Sequence, residues 1–520
     1  MRRSQSEGTP MTFVFYPQHE FHCPHVGKCP HLGGAALGTV VACANSNQSV
    51  QDARQRVLEA ERETKSQLLK RVVTLEQELE QTKAELRLER QGKFRTATTA
   101  ESADTAGSAT EVSATDPEAK KRGAPVGHPG WFRPRPDKAD RTVDVSAPSA
   151  CPHCRGEVRV YDHLPSYEHF QEDLRDGRCQ TTCFRHPQAR CGVCRRWVLQ
   201  AGEGELLGQR IGPEARARGI WLRDHVGMTW RKGAQVLEGL QGLKVCPATL
   251  IAFEVDLAHM TAPLVEDIEK KLGASEGAVH SDGTGWPLDG CSAAFWFHGD
   301  ERLAHFHFDE SRAGEVSRGI LGDDFAGTLV TDCSTVYWQH AARWKQKCLA
   351  HVGRTARDWK TVVGARPLAR QFFDDVRAWV HRGCEFHRQR KKCLLSGRQI
   401  VAEKRWLREE LKRLEQCPVD HPKAATLQER LRTYHDDWLV FLDHPEVPPT
   451  NNLAEQALRP LVVLRKLTYG SRSRAGAERL ANLLTVIETA KRHGHDVLAF
   501  LYKLQTRSPG RLLRFLYDTR

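Results

Sequence analysis

The chain has 520 residues, of which 40% are hydrophobic and 27% charged, and its 77 Lys and Arg against 65 Asp and Glu give a formal net charge of +12. That length exceeds one hydrophobic core and predicts roughly three to five units, and the balance excludes a wholly disordered chain or a multi-span membrane protein. Cations spread along the whole chain favour an anionic partner, nucleic acid before a membrane surface.

Residues 1–20 carry Arg2 and Arg3 but no apolar run before Pro10, so no secretory signal is expected. The longest apolar stretch, around 35–44, is far short of the ~20 residues of a spanning helix. The expectation is a cytoplasmic, bacterial-type and nucleoid-associated protein without a membrane. Disulfides are rare there, and the 16 cysteines point to metal or to burial.

Taken in order, residues 1–49 hold a repeated Cys-Pro-His unit, Cys23 with His25 and Cys29 with His31. Thiolate and imidazole are zinc donors, and a disordered N-terminus is the alternative. Residues 50–95 have no Gly or Pro before Gly92 and fit a heptad with Leu58, Lys65, Val72, Leu79 and Leu86 at a, and Glu61, Leu68, Leu75 and Thr82 at d. Either a short dimerising coiled coil or a solitary solvated helix fits that pattern. Residues 96–148 begin as an Ala/Thr/Ser/Asp-rich linker and end as a basic Gly/Pro arm. Its Lys120, Lys121, Arg122, Arg133 and Arg135 suit phosphate contacts; a basic interdomain linker is the other reading.

In 149–205, Cys151-Pro-His-Cys154 and Cys191-Gly-Val-Cys194 form two Cys-x-x-Cys knuckles, the spacing of a four-thiolate structural zinc ribbon. Cys179 and Cys183 lie between them, as buried thiols or substitute ligands. Residues 210–272 read as helical, and 228–249 as helix, Gly-containing turn and second helix beginning near Pro247, a candidate helix-turn-helix.

Three carboxylates then stand out. Asp282 lies on an apolar strand within 277–287, and Asp332 follows the short buried strand Leu329-Val330-Thr331. Glu455 opens a helix in Pro448-Pro449-Thr450-Asn451-Asn452-Leu453-Ala454-Glu455. From Arg459 to Arg479 follow six Lys or Arg, including Arg459, Arg465 and Lys466, against one acid, Glu478. Asn452 and Glu455 also have capping-box spacing. Three carboxylates brought together hold two divalent metals, and oxygen donors favour Mg²⁺ or Mn²⁺.

The run Thr450 to Pro460, Arg465-Lys466, Leu329-Val330-Thr331-Asp332, Cys348-Leu-Ala-His351 and the arm 123–130 resemble the insertion-sequence-66 family of DDE transposases. The likeness covers nearly all of 50–515. It implies a ribonuclease-H-like catalytic domain over 273–365 and 443–505 and a DNA strand-cleaving and strand-joining activity at element ends. The metal-binding catalytic triad it implies is Asp282, Asp332 and Glu455. The sequence departs from the family's usual pattern at Gly283, where a second acid is expected, and at Gln456, where Arg is. The expected fold class is multidomain α+β: N-terminal coiled coil, zinc ribbon, helical DNA-binding region, and α/β catalytic domain with a helical insertion at 366–442, then a tail at 506–520. Expected partners are double-stranded DNA, as element inverted repeats and target, and a second copy in a homodimer or higher oligomer. A DNA-binding protein that has lost its chemistry and a nuclease that cuts without joining are the competing functions.

Overall fold

The structure is a computed structural model, and it describes residues 133–518. The Cys/His segment, the coiled coil and the cations Lys120, Lys121 and Arg122 lie outside the described residues. Within them the chain is mixed α/β, with ten strands in three sheets and thirteen α-helices.

The first five strands are β1 (Arg141–Asp144), β2 (Val158–Val160), β3 (Tyr167–Arg175), β4 (Arg178–His186) and β5 (Ala189–Cys191). Strands β2 and β5 pair antiparallel beside the cysteine knuckles, while β1, β4 and β3 form a separate sheet. Asp176 and Gly177 join β3 to β4 with φ of 51° and 77°. Both lie in the left-handed region, as a two-residue turn matched to strand twist requires. Cys179 and Cys183 sit on β4, away from the knuckles, so they are thiols of the sheet rather than substitute ligands.

A helical stretch follows: α1 (Pro213–Ile220), continued by a single π-helical segment (Trp221–His225), α2 (Trp230–Gln241) and α3 (Pro247–Gly273). Thr229 caps α2, and Gly242 ends it with φ of 72°, a conformation open to glycine at little cost. The second helix of the expected helix-turn-helix does begin at Pro247. It buries Leu250, Phe253, Leu257, Leu264, Ile268 and Leu272 in the main core, and it carries no Lys or Arg before Lys270. A groove-reading helix presents an exposed, hydrogen-bonding or cationic face; the face that α3 leaves uncovered, with Ile251, Ala252, His259 and Met260, carries no cation before Lys270 and lends the helix-turn-helix expectation no support. Helix α3 is also the one described helix long and apolar enough to cross a membrane by length and composition; central helices of packed domains share those properties.

The largest sheet comprises β6 (Ala278–Leu288), β7 (Cys291–Gly299), β8 (Ala304–Asp309), β9 (Asp324–Thr331) and β10 (Ala341–Lys347), in the order β10-β9-β6-β7-β8. Strands β6, β7 and β8 are antiparallel neighbours, whereas β9 runs parallel to both β6 and β10. The short α4 (Glu315–Leu321) lies between β8 and β9. Along β7, Ala294 and Trp296 enter one core and Phe295 and Phe297 another. The unbroken apolar run therefore reflects a sheet covered on both faces.

Helices complete the unit: α5 (Leu349–Lys360), α6 (Pro367–Lys391), α7 (Gly397–Gln416), α8 (Pro422–Thr433), α9 (Val440–Asp443), α10 (Asn452–Thr468), α11 (Arg474–Arg492), α12 (Val497–Thr506) and α13 (Pro509–Tyr517). Helices α5 to α9 share a separate core that includes Phe372, Trp379, Leu407, Leu411, Leu427 and Trp438. Helix α11 closes the free edge of β8. Thr485 and Thr489, one turn apart, bond the backbone N–H and C=O of Phe306 and Ala304 at 2.8–3.3 Å. A strand edge left bare would template pairing with another chain.

Candidate active site and cysteine centre

Asp282 and Asp332 are brought together by strand register. Strands β6 and β9 pair in parallel as Ala278 with Thr328, Val279 with Leu329 and His280 with Val330. Each aspartate lies two residues beyond the last of these pairs, at the same level and, because side chains alternate, on the same face. Gly283 points to the opposite face, where a Cβ would meet the Trp296 ring at 3.4 Å. An acid there would not join Asp282, so the family's missing second acid subtracts no ligand from this face.

Glu455 reaches that face from α10. Ala454, Leu458, Leu461 and Leu464 recur at helical spacing and pack on Trp286, Phe295, Phe297 and Phe306, which pins the helix to the sheet. Burial pushes the Asp282 carboxyl up to about 7, and the charges of Asp332 and Glu455 add to it against the opposing Gly283 N–H. The Glu455 Oε1 atom is buried without a hydrogen-bond partner among the described residues. His351 Nδ1, likewise unpartnered, stands 3.5 Å from it, and Arg354 donates to Glu455 Oε2 at 3.3 Å.

The expected capping box is not formed. The N-cap is Asn451, Asn452 is the first helical residue, and no side chain caps the helix. The fully buried Asn451 instead joins three elements. Its Nδ2 donates to Ser281 O at 2.9 Å and its Oδ1 accepts from His280 Nδ1 at 2.9 Å. Its backbone N–H meets Cys348 Sγ at 3.1 Å. One amide thereby ties the Glu455 helix to the Asp282 strand and to the start of α5. At the Asp332 end of β9, buried Lys347 donates to Thr331 Oγ1 at 2.9 Å and to Asp332 O at 3.1 Å, and burial holds its ammonium below the ordinary lysine range. Sequence inspection did not find Asn451, Lys347, His351 or Arg354 as site residues. The Cys348-x-x-His351 spacing and the doubled asparagine were the available signals.

Cys348, His351 and Glu455 each place a ligand atom within 4.8 Å of the others. Burial raises the Cys348 thiol, as it raises Cys194 of the four-cysteine cluster. We treat these side chains as supports of Glu455. Asp282, Asp332 and Glu455 offer oxygen donors of the kind hard divalent cations take, but they are not among the described groups whose ligand atoms all lie within 4.8 Å of one another.

The basic residues separate by environment. Arg465 donates to Gly285 O and, at 3.4 Å, to Thr284 Oγ1 on β6, so it faces the sheet. Arg459 and Lys466 are exposed. In the arm, Arg133 bonds Glu172 through two nitrogens and Lys244 O at 2.7 Å, and Arg135 pairs with Glu168 at 2.6 Å. Arg133 thus clamps β3, its guanidinium engaged within the protein.

The second centre is built twice from one turn. Arg155 N–H bonds Cys151 O at 2.8 Å and Arg195 N–H bonds Cys191 O at 3.1 Å. Arg155 and Arg195 then take φ of 60° and 61°, and Cys151 and Cys191 each donate back across the turn, to Gly156 O and Arg196 O at 2.9 Å. Sulfur contacts of 3.6 Å (Cys151 to Cys194) and 3.4 Å (Cys154 to Cys191) result. A zinc tetrahedron with bonds of ~2.3 Å has sulfur edges of about 3.8 Å. Burial opposes ionisation at Cys191, but N–H groups of Cys194 and Val193 and the Cys154 side chain lower its thiol overall. Cys194 is raised by burial and its thiol neighbours. Four such thiols ionise together only around a cation, and the Cys₄ cluster is compatible with structural zinc.

The sequence profile sets the class of protein, a nucleic-acid-processing enzyme. The profile of the transposase IS66 family matches residues 208–479, and the chain belongs to that family. The match takes in Asp282, Asp332 and Glu455 but not the cysteine knuckles. No curated protein sequence matches the chain. Family membership gives the protein a transposase-type function with DNA as its partner.

Proposed function

We propose that the protein is the DNA transposase of an insertion sequence, binding the element's ends and catalysing strand cleavage and strand transfer in a ribonuclease-H-like domain. The observation that supports this is the β6–β9 register, which sets Asp282 and Asp332 at one level, with both Asp332 and Glu455 near enough to raise the Asp282 carboxyl by their charge. The five-stranded mixed sheet with its helical cover supports the ribonuclease-H-like reading.

Asp282, Asp332 and Glu455 would hold two Mg²⁺ or Mn²⁺ ions, which when bound activate a water or 3′-hydroxyl and stabilise the leaving oxygen at phosphorus. The chain's own part is preorganisation. Asn451 fixes the Glu455 helix against β6, Arg354 and His351 hold the Glu455 carboxylate from its far side, and Lys347 steadies the β9 end beneath Asp332. The Asp282 carboxyl, raised by burial, would have to be deprotonated to hold a cation. Arg459 and Lys466 are the phosphate contacts of this reading, and the Cys₄ cluster holds a structural zinc. The deciding experiment incubates a duplex carrying the element's end with the protein and Mg²⁺. Wild type should yield nicked and joined products, while Asp332→Asn should lose at least ~10³-fold in cleavage, as removal of a metal-holding group implies, and still bind DNA. Equal cleavage by both proteins overturns the triad; cleavage without joined products leaves a nuclease.

A further inference from the structure

The far end of the Glu455 helix carries a feature that the metal chemistry does not use. Helix α10 terminates at Tyr469, which takes φ of 57° and ψ of 27° while its N–H bonds Arg465 O at 2.8 Å. That left-handed position normally falls to Gly or Asn, because a Cβ there crowds the following carbonyl. Five other non-glycine residues of the described chain have positive φ, and none is aromatic. The Tyr469 side chain is 82% exposed. A large ring held in a disfavoured backbone conformation and left in water is unexplained by folding, and such strain concentrates at functional positions.

The turn is also rigid. Gly470 has φ of 98°, and a Cβ on it would sit 2.0 Å from Pro287 O. Ser471 N–H bonds Pro287 O at 2.9 Å, Asp289 N–H bonds Ser471 O at 2.8 Å, and Trp286 Nε1 donates to Ser471 Oγ at 3.0 Å. The end of β6 thus fixes the loop that presents the ring. Beside it Lys466 is exposed, and the Arg472 side chain, 81% exposed, lies 3.8 Å from Asp289 Oδ1. Positions 455, 459, 462 and 466 follow one line along the helix at spacings of 4, 3 and 4, and Tyr469 closes it three residues on. That line begins at a site carboxylate, passes Arg459 and Lys466, and ends at the aromatic ring.

We propose that this line is a DNA-binding rail in which Arg459 and Lys466 neutralise phosphates and Tyr469 stacks on a nucleobase that has left the duplex stack at its far end. The proposal rests on the transposase reading above and adds to it a base-contacting residue and a distance. Fourteen helical residues span about 21 Å, which is about six base pairs of duplex at 3.4 Å each. Stacking on a tyrosine face is tolerant of base identity, so the contact measures distance from the cut rather than reading sequence.

The test uses the full-length protein and a fluorescein-labelled 30-base-pair duplex carrying the element's end, with anisotropy recorded over a range of salt. Tyr469→Ala should weaken binding roughly ten-fold, within the range for loss of one stacked base, with an unchanged salt slope. Tyr469→Phe should bind like wild type. Arg459→Ala and Lys466→Ala should each lower the slope of log K against log salt by about 1. Tyr469→Gly separates contact from structure: it relieves the left-handed position, so its melting temperature should rise while its DNA affinity falls as in Tyr469→Ala. Benzophenone photo-crosslinking from position 469 should map about six base pairs from the cleaved phosphate. Unchanged affinity in Tyr469→Ala and Tyr469→Gly, or a crosslink map with nothing between about three and nine base pairs from the cut, overturns the proposal and leaves the transposase reading intact. Absence of duplex binding by wild type overturns both.

Discussion

The two metal-type centres of this protein are assembled in opposite ways. The cysteine cluster is local: two copies of one turn, each with its own left-handed residue after the second cysteine, meet through the short β2–β5 pair. Its private core among the described residues is Cys151, Ala189, Cys191 and Val198, too little apolar surface to fold unaided. The carboxylate site is the reverse. Its acids come from a strand, a strand end and a helix up to 173 positions apart, set on sheets and helices with large cores, and its free carboxylates repel one another. The cysteine cluster is compatible with structural zinc, whereas the Asp282 carboxyl is raised first by burial and then by its acidic neighbours.

The comparison breaks most visibly at the cysteines. Cys191→Ser should take bound zinc from one per chain to none by elemental analysis and open 149–200 to limited proteolysis, because the metal supplies on the order of 10 kcal/mol to such a site. The thermal transition of the largest sheet should remain. Loss of the whole cooperative transition would show that the two centres are one folding unit.

A smaller effect is expected at the acid site's organiser. Asn451→Ala leaves Ser281 O and the His280 ring nitrogen without their partner in a buried setting, at roughly 2–4 kcal/mol by urea unfolding. The Mg²⁺ concentration for half-maximal cleavage should rise, because Glu455 is no longer held against β6, while zinc content stays at one. A stability loss with unchanged Mg²⁺ dependence would reduce Asn451 to packing.

The smallest and most diagnostic effect carries a sign. The folded chain holds the Asp282 proton with a pKa of about 7, above the ~3.9 of an unfolded chain. The folded state therefore binds more protons between these values, and stability falls as pH rises from about 4 to 7. In Mg²⁺-free buffer at pH 8, Asp282→Asn should melt a few degrees higher than wild type, and that gain should vanish by about pH 4. A variant that melts lower at pH 8 would mean that the acids are not under mutual strain. The same substitution should abolish cleavage, separating stability from activity at one residue.

What was legible in the sequence follows the same division. The Cys-x-x-Cys pair could be read because its ligand spacing, its turn and its pairing strands lie within 44 residues. Asp282, Asp332 and Glu455 stood out as carboxylates next to apolar strands or at the head of a basic helix, and the resemblance joined them into a triad; neither spacing nor periodicity placed them on one face. The start of α3 at Pro247 was legible from its proline and turn, but its use was not. A short helix pair looks the same whether its second member lies in a groove or in a core.

The sequence by itself determined the local states: the knuckle turns, the Asp-Gly hairpin at 176–177, the apolar strands and the helical spacing of Ala454, Leu458, Leu461 and Leu464. These depend on residues a few positions apart and on backbone preferences that any context shares. Only the tertiary structure decided the partners. Register on β6 and β9 put two aspartates at one level. The Asn451 side chain turned from its own helix to Ser281 and His280. Arg465 went to the sheet, and Arg459, Lys466 and Tyr469 went to solvent. Hydrogen bonds and burial between residues more than a hundred positions apart follow from how whole layers pack, and no short window of sequence contains that information.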